Sequence, residues 1–230
     1  MYQTIAEHHD FIVIDKEPGS NFHDEGELGS GLFSQVKSQL KKQNKNVDLY
    51  PVHRLDKMTS GLVIFAKNLA CAQTFGRLFN DHDIEKYYLA ISDNKPSKKQ
   101  GLIKGDMAKS RRGMFKLLRT MENPAITQFF SYSIINKQRL YLLKPHSGKT
   151  HQLRVALASI GAPIVGDPLY YSTSTADRGY LHAFALRFNY LGESFEFISM
   201  PSSGEYFLTE QVNEQLSALK KPWQLNWPRL

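Results

Sequence analysis

The spacing of apolar positions changes several times along the chain, and each change marks an element. Phe11 to Ile14 is a short apolar run that predicts a strand, closed by the turn-forming Asp15-Lys16-Glu17-Pro18-Gly19. Leu32, Phe33, Val36 and Leu40 recur at helical spacing, with Lys37, Lys41 and Lys42 toward the other face. Leu49 to His53 predicts a strand, and Leu62 to Ala66 has the length and Val/Ile/Phe content of a buried one. Asn68 is placed to cap a helix whose core stripe is Leu69, Ala72, Phe75, Leu78 and Phe79. Ile84 to Ile91 predicts a further strand. Thr127 to Ile135 and Arg139 to Leu143 predict a hairpin turning through Asn136-Lys137-Gln138. Thr150 is placed to cap a helix with Leu153, Leu157 and Ile160 buried, ended by Gly161. Strands follow Tyr180-Leu181-His182-Ala183 as far as Met200. Residues 205–220 predict a closing helix, and the stretch from Trp223 to Trp227 is expected to dock on the body.

Length adds that one domain spanning 1–230 can bury a sizeable core, and no repeat or linker divides it. No apolar run approaches a membrane span, and the N-terminus lacks the blocks of a signal peptide. Cys71 is the single cysteine, so no internal disulfide forms; a small buried residue is its expected role. A cytoplasmic monomer is the expectation. The net charge of +7 suits a polyanionic partner, and its distribution is uneven. Between Lys95 and Arg119 nine Lys/Arg and one acid, Asp106, make a +8 segment, which leaves −1 for the other 205 residues. A basic loop that only keeps the surface solvated is the plainer alternative.

The chemistry is concentrated between His53 and Asn68. There the polar His53, Arg54, Asp56, Thr59 and Ser60 lead through Gly61 into the buried run, placing functional groups on a loop at the mouth of a core strand. His53-Arg54-Leu55-Asp56 with Thr59-Ser60-Gly61-Leu62 closely resembles the signature of the RluA-type pseudouridine synthases, which isomerise uridines in RNA. Lys86 to Ala90 is similar to that family's second motif, Lys-x-Tyr-x-Ala. Tyr87 is taken as the active-site tyrosine, and Tyr88 is the alternative; in a strand only one of them enters the cleft. His146 to Leu157 resembles the third motif, with Ala156 where His is usual, so no role passes to that side chain. Gly148-Lys149-Thr150 mimics the end of a phosphate-binding loop. The glycine such a loop requires is replaced by Leu143, so no nucleotide site is expected.

The resemblance spans about residues 10 to 200. It implies an α+β fold, a mixed and mainly antiparallel sheet with flanking helices and a central active-site cleft between two halves. The family's optional N-terminal RNA-binding domain is not expected here, because the length leaves no room for it. The implied catalytic set is Asp56, Tyr87 and Arg154. Asp56 acts as nucleophile or stabilises an oxocarbenium-like sugar, Arg154 keeps it charged and aimed, and the tyrosine stacks on uracil. Arg54 is the residue that fills the space of the everted base. Lys98, Lys99, Arg111 and Arg112 are the expected grips on the RNA backbone. The partner is rRNA or tRNA, and no cofactor is expected. His8/His9, His53/His182 and His146/His151 lack metal-motif spacing and a cysteine, so no metal is expected. Two other readings remain: an inactive RNA-binding protein of this fold, or a nucleoside glycosidase with a second carboxylate from Asp81, Asp83 or Asp167.

Overall fold

The structure is a computed structural model that describes residues 2–43, 48–134 and 138–230. In chain order it runs β1 (Tyr2–Glu7), β2 (Phe11–Lys16), α1 (Leu32–Lys42), β3 (Tyr50–Pro51), β4 (Ser60–Ala66), α2 (Leu69–Asn80) and β5 (Glu85–Ser92). It continues through β6 (Gln100–Gly105), β7 (Met107–Lys109), β8 (Phe115–Leu117), β9 (Ala125–Ser133), β10 (Arg139–Pro145) and α3 (Gln152–Ser159). β11 (Leu181–Tyr190), β12 (Glu193–Ile198) and α4 (Glu210–Ser217) complete it. Among the described residues one mixed sheet has the order β1-β2-β4-β11-β5-β10-β9-β6, with β3 paired to β4 and β12 to β11. Every pairing is antiparallel except β4 with β11. The fold is the α+β, mainly antiparallel arrangement that the motifs imply.

That parallel contact is where the sheet forks. β4 meets β11 only at Ser60–Gly61 against His182–Ala183, and β12 takes over the same edge of β11 from Ala185 onward. Gly61, at φ +106°, makes the junction possible, because a Cβ there would collide with the Ala183 backbone. The diverging strands leave a wedge that aromatic rings fill. Phe11, Phe75, Phe188 and Phe195 meet there at centroid distances of 5.3–5.9 Å. A second core lies on the other face of β2 and β4, where Leu32, Val36 and Leu40 of α1 cover Ile12, Ile14, Val63 and Phe65. A third joins β5, β10 and β11 to α3 and α4 through Leu142, Leu157, Phe184 and Val212.

Local expectations hold where the signal is local. The Asn68 side chain accepts from the Cys71 amide at 2.8 Å and caps α2, and Cys71 is buried. Thr150 does not cap α3. His151 stands at the helix N-terminus with φ +57°, and the Gln152 carboxamide takes the Lys149 amide at 3.0 Å. The closing helix is shorter than its pattern, because Tyr206 stacks on Tyr180 and Phe207 is drawn fully into the core before α4 begins. The Trp223–Trp227 stretch docks as expected, against Tyr87 and Phe130. β1 carries no clear alternation and had no sequence signal, and the predicted strand before His53 shrinks to two residues. The basic segment is not a plain loop: it holds β6 and the β7–β8 hairpin. Ile135 and the turn residues Asn136 and Lys137 lie outside the described residues.

Candidate active site

Asp56 occupies the turn between β3 and β4, closed by a hydrogen bond from the Thr59 amide to its carbonyl at 3.0 Å. The turn is held from beneath by Lys16, whose ammonium donates to the carbonyls of Glu17, Lys57 and Thr59 at 2.8–3.1 Å. Lys16 is fully buried. Burial, and after it the charge of Arg178, pulls this lysine down to about 8 against the attraction of Asp56 and Asp15. The Gly19 amide also bonds to Lys57, so the turn residues read as a breaker of β2 also clamp the site.

Arg154 meets Asp56 from α3. One guanidinium nitrogen, Nη1, donates to Asp56 Oδ2 at 3.1 Å. Nε and Nη2 form a two-pronged bond to Asp167 at 2.7 and 2.8 Å. Asp167 is wholly buried, and its Oδ1 also accepts from the Leu169 and Tyr170 amides. The Tyr170 ring lies 5.1 Å from the guanidinium carbon. Burial pulls Arg154 down, but Asp167 and then Asp56 outweigh it and leave the guanidinium above its usual value. The planar fork is therefore fixed by the deep carboxylate and offers its remaining edge to the one facing the cleft. The sequence offered Asp167 as a possible second carboxylate and not as a partner of Arg154; it follows the tight turn at Gly166, φ +74°.

β5 resolves the tyrosines against the expectation. Tyr87 faces away from the cleft: its hydroxyl donates to Glu85, and its ring contacts those of Trp223 and Trp227. Tyr88 lines the cleft with Asp56 and Arg154. β5 is buried on both faces, so no polar alternation marks which side looks inward. Burial, and then the charge of Asp56, holds the Tyr88 hydroxyl above its usual value, so the free protein presents a neutral phenol.

The cleft holds about 880 Å³ and is bounded by the β3–β4 turn, β5, the β10–α3 connection and residues 122–126. Arg54 is exposed at its wall. His53 is a strut: its Nε2 accepts from the Ile64 amide at 2.9 Å, and burial with the charge of Lys86 pulls it to about 3. Asp56 and Glu122 are the carboxylates on the cleft wall among the described residues; Asp81 and Asp83 do not line it. The described residues contain no group of three His, Cys, Asp or Glu placed to hold a metal. No helix among them is long and apolar enough to cross a membrane.

The four basic grips do not form one patch. Arg111 and Arg112 sit at the turn of the β7–β8 hairpin, whose Phe115 amide donates to the Tyr170 hydroxyl at 2.8 Å. The Phe115 ring meets His151 edge-on at 5.6 Å, so this hairpin borders the site. Lys98 and Lys99 precede β6 at its Gln100 end, opposite Phe130, whereas the cleft lies by the Gly105 end, opposite Ala125. Five residues of strand separate those ends by about 17 Å.

With this geometry, comparison with known proteins is direct. Residues 10–159 match the family described as RNA pseudouridylate synthase. A protein of Haemophilus influenzae described as an uncharacterized RNA pseudouridine synthase is 48% identical over 223 residues, covering 96% of this chain and 97% of that protein. Ribosomal large subunit pseudouridine synthase C of Rickettsia bellii is 35% identical over 147 residues, 62% of this chain; the match spans about half (49%) of that relative's length. The solved structure of human RNA pseudouridylate synthase domain containing 1 superposes with a TM-score of 0.74 at 24% identity, covering 96% of this chain and 95% of that one, and shares the fold. The chain belongs to the RluA-type family of RNA pseudouridine synthases.

Proposed function

We propose that Asp56 is the carboxylate that acts at the sugar carbon of an everted uridine, with Arg154 aiming it and Tyr88 beneath the uracil. The reading rests above all on the Asp167–Arg154–Asp56 array. A buried guanidinium held along one edge by one carboxylate directs its remaining nitrogen at another that opens to the cleft. Isomerisation breaks the bond from C1′ to N1 and makes one from C1′ to C5, with a proton leaving C5 and one arriving at N1. A carboxylate supports this either by bonding to C1′ or by stabilising positive charge there. Both need the carboxylate held in place, which the hydrogen bond from Arg154 supplies. Tyr88 stacks as a neutral ring; any proton transfer by it must first overcome the burial and the Asp56 charge that keep it protonated.

Arg54, exposed at the wall, is placed to enter the gap left by the flipped base. Arg111 and Arg112 on the hairpin are the proposed backbone grips nearest the site. The RNA is ribosomal or transfer RNA; the Rickettsia relative's name makes large-subunit rRNA the first candidate. A glycosidase reading is disfavoured by Asp167, whose oxygens are taken by Arg154 and backbone amides. The test is tritium release from uridine-labelled RNA by Asp56→Asn. Release should fall below detection while folding and RNA binding persist, and turnover within about tenfold of the unmodified protein would overturn the assignment.

A further inference from the structure

Lys86 is outside the chemistry above, yet it lines the same cleft. It lies two residues before Tyr88 on β5, so both side chains face the cleft, about 6.6–6.8 Å apart along the strand. The residue is only 8% exposed. Among the described residues its ammonium has no ion pair and no hydrogen-bond acceptor; it lies over the Phe79 ring, 5.7 Å from its centroid. The lysine stem is buried while the ammonium opens to the cleft, because every fully buried side-chain nitrogen among the described residues has a hydrogen-bond partner.

Glu122 shares the cleft wall with Lys86, but among the described residues it forms no ion pair with it. Glu85, on the same strand, pairs with Lys144 at 2.8 Å and with Arg187. His53 of the β3–β4 connection is committed to the Ile64 amide, and His146 after β10 to Gln128 at 2.6 Å. His82 lines the wall beyond α2, and Asp56 is held by Arg154. Burial alone accounts for the downward pull on Lys86, with no nearby charge offsetting it.

We propose that Lys86 is a binding site for a phosphodiester of the RNA, the phosphate flanking the target uridine. This rests on the proposed placement of the uracil over Tyr88. Seated there, a nucleotide carries its own backbone along β5 toward the ammonium, whose missing counter-charge the phosphate supplies. Lys86 then fixes where the sugar lies relative to Asp56.

The test uses the full chain and a short synthetic RNA containing the uridine that the unmodified protein converts. Lys86→Met keeps the aliphatic stem and removes the charge. It should weaken RNA binding roughly tenfold and flatten the slope of log affinity against log salt by about 0.7. The urea midpoint should not fall, because the ammonium forms no hydrogen bond or ion pair within the fold among the described residues. Lys86→Arg should retain most of the affinity. Neutralising flanking phosphates singly as methylphosphonates should reveal one that costs the unmodified protein about the same tenfold and costs Lys86→Met nothing further. A lower urea midpoint with an unchanged salt slope would make Lys86 a structural strut. Methylphosphonate penalties that persist in full in Lys86→Met would mean that its ligand is not a phosphate, for instance a uracil carbonyl. Should Lys86→Met fail to fold, the scan on the unmodified protein and on Lys86→Arg decides, and the absence of any sensitive flanking phosphate overturns the proposal. These readouts need binding, not turnover, so they are independent of whether Asp56→Asn abolishes isomerisation.

Discussion

At the scale of single residues, the contacts around Arg154 define the geometry of the proposed site. Arg154 has three nitrogens engaged, two on Asp167 and one on Asp56. Lysine keeps the charge but offers one point instead of a fork. Arg154→Lys should therefore lower kcat by about 100-fold or more, as expected when a reacting group shifts by around 1 Å, with RNA affinity little changed. Asp167→Asn should act through the same array, and the double variant should lose no more than the worse single one. Single-turnover assays check both, and additive losses would place the arginine's work elsewhere. The tyrosines separate as cleanly. Tyr88→Phe should cost about 100-fold in kcat if its hydroxyl moves a proton. Tyr87→Phe should leave kcat unchanged and cost about 1 kcal/mol of stability through the lost bond to Glu85.

At the scale of elements, the β7–β8 hairpin is the part of the basic segment tied to the site. Tyr170 connects its Phe115 amide to the ring under Arg154, so RNA held at Arg111 and Arg112 lies beside the aimed carboxylate. β6 is an edge strand, and lysines at such an edge also discourage pairing with other chains. Replacing Arg111 and Arg112 with Ala should flatten the salt slope of binding by roughly 0.7 to 1.4 units, at about 0.7 per phosphate contact. Replacing Lys98 and Lys99 should change it less. Titrations at several salt concentrations compare the two pairs, and equal effects would show that RNA runs the length of β6.

At the scale of the whole molecule, the fork between β4 and β11 carries a buried polar chain that links the halves. Ser60 Oγ bonds to His182 Nδ1 at 2.8 Å and accepts from Arg178 at 2.6 Å, while His182 Nε2 donates to the Ser199 carbonyl at 2.8 Å. Burial holds His182 at about 4, with the Ser199 carbonyl raising it and Arg178 lowering it. In acid the unfolded chain takes up this proton first, so the stability due to His182 is complete above about pH 6.5 and is lost as pH falls toward 4. The loss is up to about 1.4 kcal/mol per pH unit, and His53, held at about 3, adds to it in the same direction. Urea unfolding at pH 7.5, 6 and 5 should show the decline, and His182→Gln should flatten it.

The sequence by itself determined whatever depends on near neighbours. The apolar run of β4, the Asn68 cap and the stripe of α1 all follow from spacing of a few residues, and the separate motifs around Asp56 and Arg154 are each legible in a short stretch. Tertiary structure decided which face each group sees and what it meets. Tyr87 and Tyr88 are indistinguishable on a strand buried from both sides, until the fork turns Tyr88 toward Asp56. Lys16 is read only as part of a turn and Lys86 only as part of a motif, and tertiary packing leaves both residues largely buried. Asp167 gained its meaning from the turn at Gly166, and the basic segment divided because β6 carries its two ends apart. Caps and periodicity are set within one or two turns of chain, whereas a side chain's dielectric surroundings and counter-charge are set by residues distant in sequence.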